Sequence, residues 1–274
     1  MIQKLRRFIE YSRTSGIRAA VKQLFSYIRR SSIKTYPICI VYKRHSGESD
    51  ADINKVIWVN PNQIYLQNRT TFPNELHPGQ VYAGLWDKHH NPLNAKPKIK
   101  SLKNRFLFEK KWENTEYFDK LVRDYVGSDK NDWRGIETKD DAMDLLYEWE
   151  NLYSKIKREG YRSQRELAQT DEYQPQLSLL QVDSLPEEPA KNEIGVNIGR
   201  NGEFIWYKQG QHRLAIAQIL NIKSVPVRVI ARHKKWQKVR EDVKSSESVD
   251  KLSARSRKYL SHPDLQDILT YSLD

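Results

Sequence analysis

Cysteine is almost missing from this chain: Cys39 stands alone among 274 residues. A lone thiol excludes an internal disulfide framework and any zinc site built from several thiolates, and it fits a reducing, cytoplasmic setting. Long apolar runs are missing too. A transmembrane helix needs roughly 18 to 20 consecutive apolar residues, and no window comes near that; nor does the N-terminus hold the uninterrupted apolar centre of a signal peptide. No internal repeat is visible. Acidic residues are outnumbered, 35 Asp and Glu against 47 Lys and Arg, for a net charge of +12. The imbalance favours anionic partners, whether nucleic acid, nucleotide, phosphorylated substrate or lipid headgroup, without fixing a fold. The length suffices for one large domain or two small ones with an ample core.

The charge is unevenly spread. Within residues 1–30, Lys4, Arg6, Arg7, Arg13, Arg18, Lys22, Arg29 and Arg30 face a single acid, Glu10. Leu5, Phe8 and Ile9, then Ile17, Val21, Leu24, Phe25 and Ile28, recur at helical spacing on either side of Gly16, which predicts two short amphipathic helices. A basic face opposite Phe, Leu and Ile suits an anionic membrane surface, the inner face for a cytoplasmic protein. It equally suits a helix docked on the protein body with its basic side in water.

Further along, "TYPICIVY" at 35–42 predicts a strand, and 55–66 a second extended segment broken at Asn60 and Pro61. Residues 103–126 and 138–159 carry helical periodicity; Gly160 caps the second helix, and Ser163 with Glu166 forms a capping box for a short helix after it. Adjacent histidines project apart, so His89 and His90 make a poor metal pair and no metal site is assigned. Asp87, beside Trp86, is a candidate substrate contact as well as an ordinary turn carboxylate. Residues 170–190, rich in Gln, Pro, Asp and Glu, predict a loop or domain junction.

Past that junction the pattern becomes strand, turn, strand, helix, strand. Ile194, Val196 and Ile198 alternate with small or polar residues, Asn201-Gly202 marks a tight hairpin turn, and Phe204 to Tyr207 return. Leu214, Ala217, Ile219 and Leu220 fit a helix beginning after Gly210, and a last strand starts near Pro226. In "YKQGQHRLAIAQIL", residues 207–220, Gly210, Gln211, His212 and Arg213 therefore stand where a helix begins. Unpaired N–H groups and the positive end of the helix dipole make such a start an anion site. Glycine lets the backbone approach, arginine offers two donors to phosphate oxygens, and His212 exchanges a proton near neutral pH. A solvated or carboxylate-paired arginine is the plainer alternative. Arg232 and His233, at the exit of the last strand, are expected near the same edge, holding phosphate or an acidic substrate, with a simple basic surface patch as the rival.

Gly210, His212 and Arg213 resemble the Gly-x-His-Arg or Gly-Glu-Arg-Arg motif of the superfamily that joins sulfiredoxin with the N-terminal domain of ParB partition proteins, where it binds nucleotide phosphates. The resemblance covers roughly residues 180–240. Gln211 stands where sulfiredoxin carries its reacting cysteine, so sulfinic acid reduction is excluded. Only 34 residues follow Arg240, too few for the DNA-binding and dimerisation domains of a partition protein. Free-serine kinases of the superfamily set a glutamate across from the phosphates as base, and Glu193 is the candidate here, against its reading as a surface carboxylate. "GLWDK", "KWENTEYF" and "GYRSQREL" are similar to ParB-like proteins that accompany surface-polysaccharide genes, which brings in a glycan substrate.

The sequence thus predicts an α+β protein in four parts: a basic amphipathic helical segment at 1–34, an α-rich region with short strands at 35–170, a ParB/sulfiredoxin-like mixed sheet with helices at 171–240, and a helical tail at 241–274. The resemblance implies a phosphotransferase using ATP or another nucleotide with Mg²⁺ on a small-molecule or glycan hydroxyl. The alternative is a non-catalytic nucleotide- or nucleic-acid-binding module, with nucleic acid the weaker partner.

Overall fold

Val225 to His233 is a run of β-branched and apolar residues interrupted by two arginines, and all nine of its residues are buried. A strand buried on both faces must be central, and this one is. The computed structural model describes residues 43–68, 76–88, 90–127, 136–170 and 188–269. The amphipathic segment at 1–30, the strand at 35–42, His89 and most of the junction at 170–190 lie outside the described residues. Among those described, the chain is mixed α/β, with seven helices and an eight-stranded mixed sheet, and no helix is long and apolar enough to cross a membrane.

The strands are β1 (Lys43–Glu48), β2 (Val56–Val59), β3 (Leu66–Asn68), β4 (Gln80–Gly84), β5 (His90–Pro92), β6 (Ile194–Ile198), β7 (Phe204–Trp206) and β8 (Val225–His233). They lie in the order β1-β4-β8-β6-β7-β3-β5, with β2 also on β8. The start of β8 pairs with β2 antiparallel and its end with β4 parallel, while β6 runs parallel along its other side. The sheet therefore takes strands from both sides of the expected junction at 171.

Parallel β6 and β8 slip register between Val196 and Ile198, and the Asn197 side chain fills the gap. Its Oδ1 accepts the Ala231 N–H at 3.2 Å and its Nδ2 donates to Asn68 Oδ1 at 2.8 Å. Burying an asparagine is tolerable because both ends are bonded.

The helices are α1 (Pro97–Phe108), α2 (Glu116–Tyr125), α3 (Lys139–Glu159), α4 (Gln164–Leu167), α5 (Gln211–Ile219), α6 (Lys234–Ser245) and α7 (Ala254–Arg257). The expected helix at 103–126 is two helices. Glu109 turns left-handed at φ 53° and ends α1; Trp112 then drops into the core, and Thr115 caps α2 by accepting the Phe118 N–H. The helix at 138–159 follows its sequence closely, with a Thr138–Asp141 capping box at one end and Gly160 at φ 82° at the other. The Ser163–Glu166 box starts α4 as expected. Helices α1, α2, α3 and α5 pack together, Leu146, Trp149 and Leu214 joining Trp112, Val196 and Ile198 in the larger core. A smaller core on Trp86, Tyr82, Tyr207 and Ile230 sits apart from it.

Candidate functional site

Two glycines fix the path from β7 into α5. Gly195 of β6 is extended, and a Cβ there would lie 2.4 Å from the Tyr207 carbonyl oxygen, so the returning chain can rest on β6 only because no side chain intervenes. Tyr207 N–H donates to the Gly195 carbonyl at 2.8 Å. Gly210 takes φ 69°, the left-handed region, as N-cap of α5, and a Cβ on it would meet Ile194 Cγ1 at 2.7 Å and Ile194 Cα at 2.8 Å. The start of α5 is thereby pressed against the start of β6. No side chain caps α5.

That contact brings Arg213 onto the residues just before β6. Its Nη2 donates to the Asn192 carbonyl, and its Nη1 lies 3.5 Å from Glu193 Oε2. Glu193 is 1% exposed, and its other oxygen accepts the first N–H of α4, from Gln164, at 2.6 Å. Burial pushes the Glu193 carboxyl up to about 7, against the pull of the Gln164 N–H and the Arg213 charge. The buried hydroxyl of Tyr161 sits within the field of the same pair, and burial raises it to about 12. A base in this position reaches a hydroxyl in solvent only if Arg213 or Gln164 moves aside.

Outside this buried group lies a cleft of about 520 Å³, lined by Lys98, Leu152, Gln164, Asn192 and every residue from Lys208 to Arg213. Lys98, Lys208 and Arg213 supply three cations to the wall, which holds no Asp or Glu. The His212 ring lies 4.2 Å from the Trp149 ring, and Lys98 Nζ stands 5.0 and 5.2 Å above Tyr117 and Trp149. Gln211 Nε2 is buried without a partner. Lys98 enters at the start of α1, which also lacks a side-chain cap. The start of α5 and three cations therefore border one opening, an arrangement that attracts anions.

Arg232, His233 and Asp87 are elsewhere. Since β8 is parallel to β6, pairing Ile194 with Val227 and Ile198 with Arg232, the exit of β8 lies at the far end of β6 from Gly210, roughly 13 Å along the strand. The expectation of one shared edge fails because α5 starts beside the beginning of β6, not its end. Arg232 is 1% exposed and forms a two-pronged pair with Asp264, at 2.6 and 2.9 Å. Asp264 also receives the Trp236 indole N–H at 2.9 Å and faces Lys55 and Arg240. Burial alone would raise its pKa; these cations outweigh it and hold the carboxyl far below the usual range.

Asp87 clamps Arg200, whose Nη2, Nε and backbone N–H lie 2.6, 2.7 and 2.9 Å from its oxygens. Those bonds overcome burial and lower the Asp87 pKa. His233 caps α6 by accepting the Lys235 N–H on Nδ1 and donates from Nε2 to the Gly84 carbonyl at 3.2 Å. Burial lowers its pKa, against the pull of Asp87. Three sequence candidates are thus tied into structural bonds.

No family model, curated protein or solved structure matches the chain.

Sequence reasoning brought Glu193 and Gly210 to Arg213 to one place. It missed Tyr161, Gln164, Lys98 and Lys208. The Ser163–Glu166 box and the Pro97 that opens α1 mark where two of those helices begin, but neither tells what faces them.

Proposed function

We propose that the cleft at the start of α5 binds a nucleotide through its phosphates, in the manner of the ParB/sulfiredoxin-like domain that Gly210, His212 and Arg213 resemble. One observation carries this: three cations and the start of α5 border an opening of about 520 Å³ whose wall has no carboxylate. A basic cleft with an apolar flank at Leu152 and the His212 ring suits phosphates joined to a ring better than a bare sugar. Phosphoryl transfer to a small-molecule or glycan hydroxyl is a second reading, favoured by a Glu193 carboxyl raised to about 7 beside Arg213. The wall offers no carboxylate to Mg²⁺, and the described residues contain no group of three metal-ligating side chains, so these residues do not fit a protein-held ion. Mg²⁺ would have to arrive on the phosphates.

Calorimetric titration with ATP, ADP and CTP, with and without Mg²⁺, tests the proposal. Lys98→Ala and Lys208→Ala should each weaken binding by roughly tenfold, the value of a charge-assisted contact. Lys103→Ala, in a separate cleft of about 400 Å³ beside Asn62 and Gln218, should leave it unchanged. Equal effects at all three positions would argue for diffuse attraction to a basic surface. Turnover that depends on an added hydroxyl compound would support transfer.

A further inference from the structure

Glu193 is bonded in a way a general base does not require. One oxygen is fixed by a backbone N–H, the other faces a guanidinium, and the group is closed to solvent. The cation it faces, Arg213, makes its contacts inward, to Glu193 and the Asn192 carbonyl. Any anion in the cleft must therefore compete with Glu193 for Arg213.

We infer that Glu193 is a positioning residue, which holds the Arg213 guanidinium at the cleft wall and sets, by its own proton, how strongly the cleft takes anions. This rests on the cleft being an anion site. With Glu193 ionised, much of the Arg213 charge is neutralised inside the protein. With Glu193 protonated, the guanidinium keeps the Asn192 carbonyl and its full charge faces the cleft. Affinity for an anion then rises as pH falls through neutrality, where the carboxyl titrates.

The groups facing Glu193 are Tyr161 ahead of α4, Arg165 and Glu166 on α4, and Arg213 on α5, with His212 next to it. Of these, His212 alone is an imidazole, a side chain that exchanges protons near neutrality, so it must be controlled.

The probe is inorganic sulfate, a dianion throughout the range, titrated at fixed ionic strength and followed by tryptophan fluorescence, which Trp149 reports from under His212. For the wild type, affinity should rise roughly tenfold from about pH 8 to about pH 6, within the ordinary span of coupling between two sites. Glu193→Gln keeps an acceptor for the Gln164 N–H and loses the charge. It should bind at pH 8 as tightly as the wild type does at pH 6, with a flat profile. Glu193→Asp restores the charge and should restore the slope. His212→Asn should bind more weakly yet keep the slope. Near-ultraviolet circular dichroism at both pH values confirms that each variant is folded; if Glu193→Gln is not, the slope of Glu193→Asp against that of the wild type carries the test, and a flat profile there overturns the proposal. Parallel slopes in wild type and Glu193→Gln overturn it too, with the cleft intact. Absence of sulfate binding at any pH would instead remove the cleft as an anion site.

Discussion

Gly210→Ala isolates the contact on which the site depends. Two terms oppose an alanine there. A residue with a Cβ at φ 69° loses roughly 1 to 2 kcal/mol in the left-handed region. The new methyl group would also stand 2.7 Å from Ile194 Cγ1 and 2.8 Å from Ile194 Cα. The side-chain atom can swing away; Cα cannot, because Ile194 is paired with Val227 in the centre of the sheet. Overpacking of that kind typically costs about 1 to 3 kcal/mol. The total is about 2 to 5 kcal/mol. Gly127 supplies the control: φ is 68°, and nothing lies within 4 Å of a Cβ built there. Gly127→Ala should show only the conformational term, about 1 to 2 kcal/mol. Urea unfolding of both variants, comparing midpoints at unchanged slope, measures the difference. Equal losses at the two glycines would refute the claim that α5 is seated on Ile194.

Removing the Asp264 carboxylate should be the most damaging of the charge changes. Asp264→Ala strips the paired carboxylate from Arg232, at 1% side-chain exposure, and one of three carboxylates from Arg240, which keeps Asp50 and Asp267, and should lower stability by about 3 to 5 kcal/mol. Lys251→Ala breaks an exposed pair with Glu247 and should change stability by less than about 1 kcal/mol by the same unfolding assay. Glu193 should give stability a pH signature of its own. Its folded pKa, about 7, lies above the unfolded 4.5, so the folded state holds the proton more tightly: its contribution is complete below 4.5 and is lost as pH rises through 7. The shift is worth about 3 kcal/mol, and Glu193→Gln should flatten unfolding free energy across that window. Asp50, held down to about 2, acts oppositely and lower: its contribution is present above 3.8 and lost as pH falls through 2.

What was legible in the sequence was local. Asn201-Gly202 gave the hairpin, Ser163 with Glu166 and Gly160 marked helix ends by chemistry within a few residues, and Gly210 before Leu214 placed α5. The run at 103–126 misled because its apolar spacing continues across a point where Glu109 turns left-handed and Trp112 leaves for the core. Arg232 and His233 misled for a different reason. Because β7 runs antiparallel to β6, α5 starts beside the beginning of β6, whereas β8, parallel to β6, exits beside Ile198 at its other end. Arg232 with Asp264, Arg240 with Asp50 and Asp87 with Arg200 join residues 32, 190 and 113 positions apart. Nothing in local pattern names such partners; from the sequence a buried arginine and a ligand-binding one look alike.

Hydrogen–deuterium exchange with and without ATP tests the central claim most directly, because it locates the ligand without altering the protein. Amides of residues 208–214, at the start of α5 in the cleft, should exchange more slowly when ATP is bound, while those of 234–240, beside Arg232 and His233, should not change. Binding with protection at 234–240 alone, or with none at 208–214, would contradict the account.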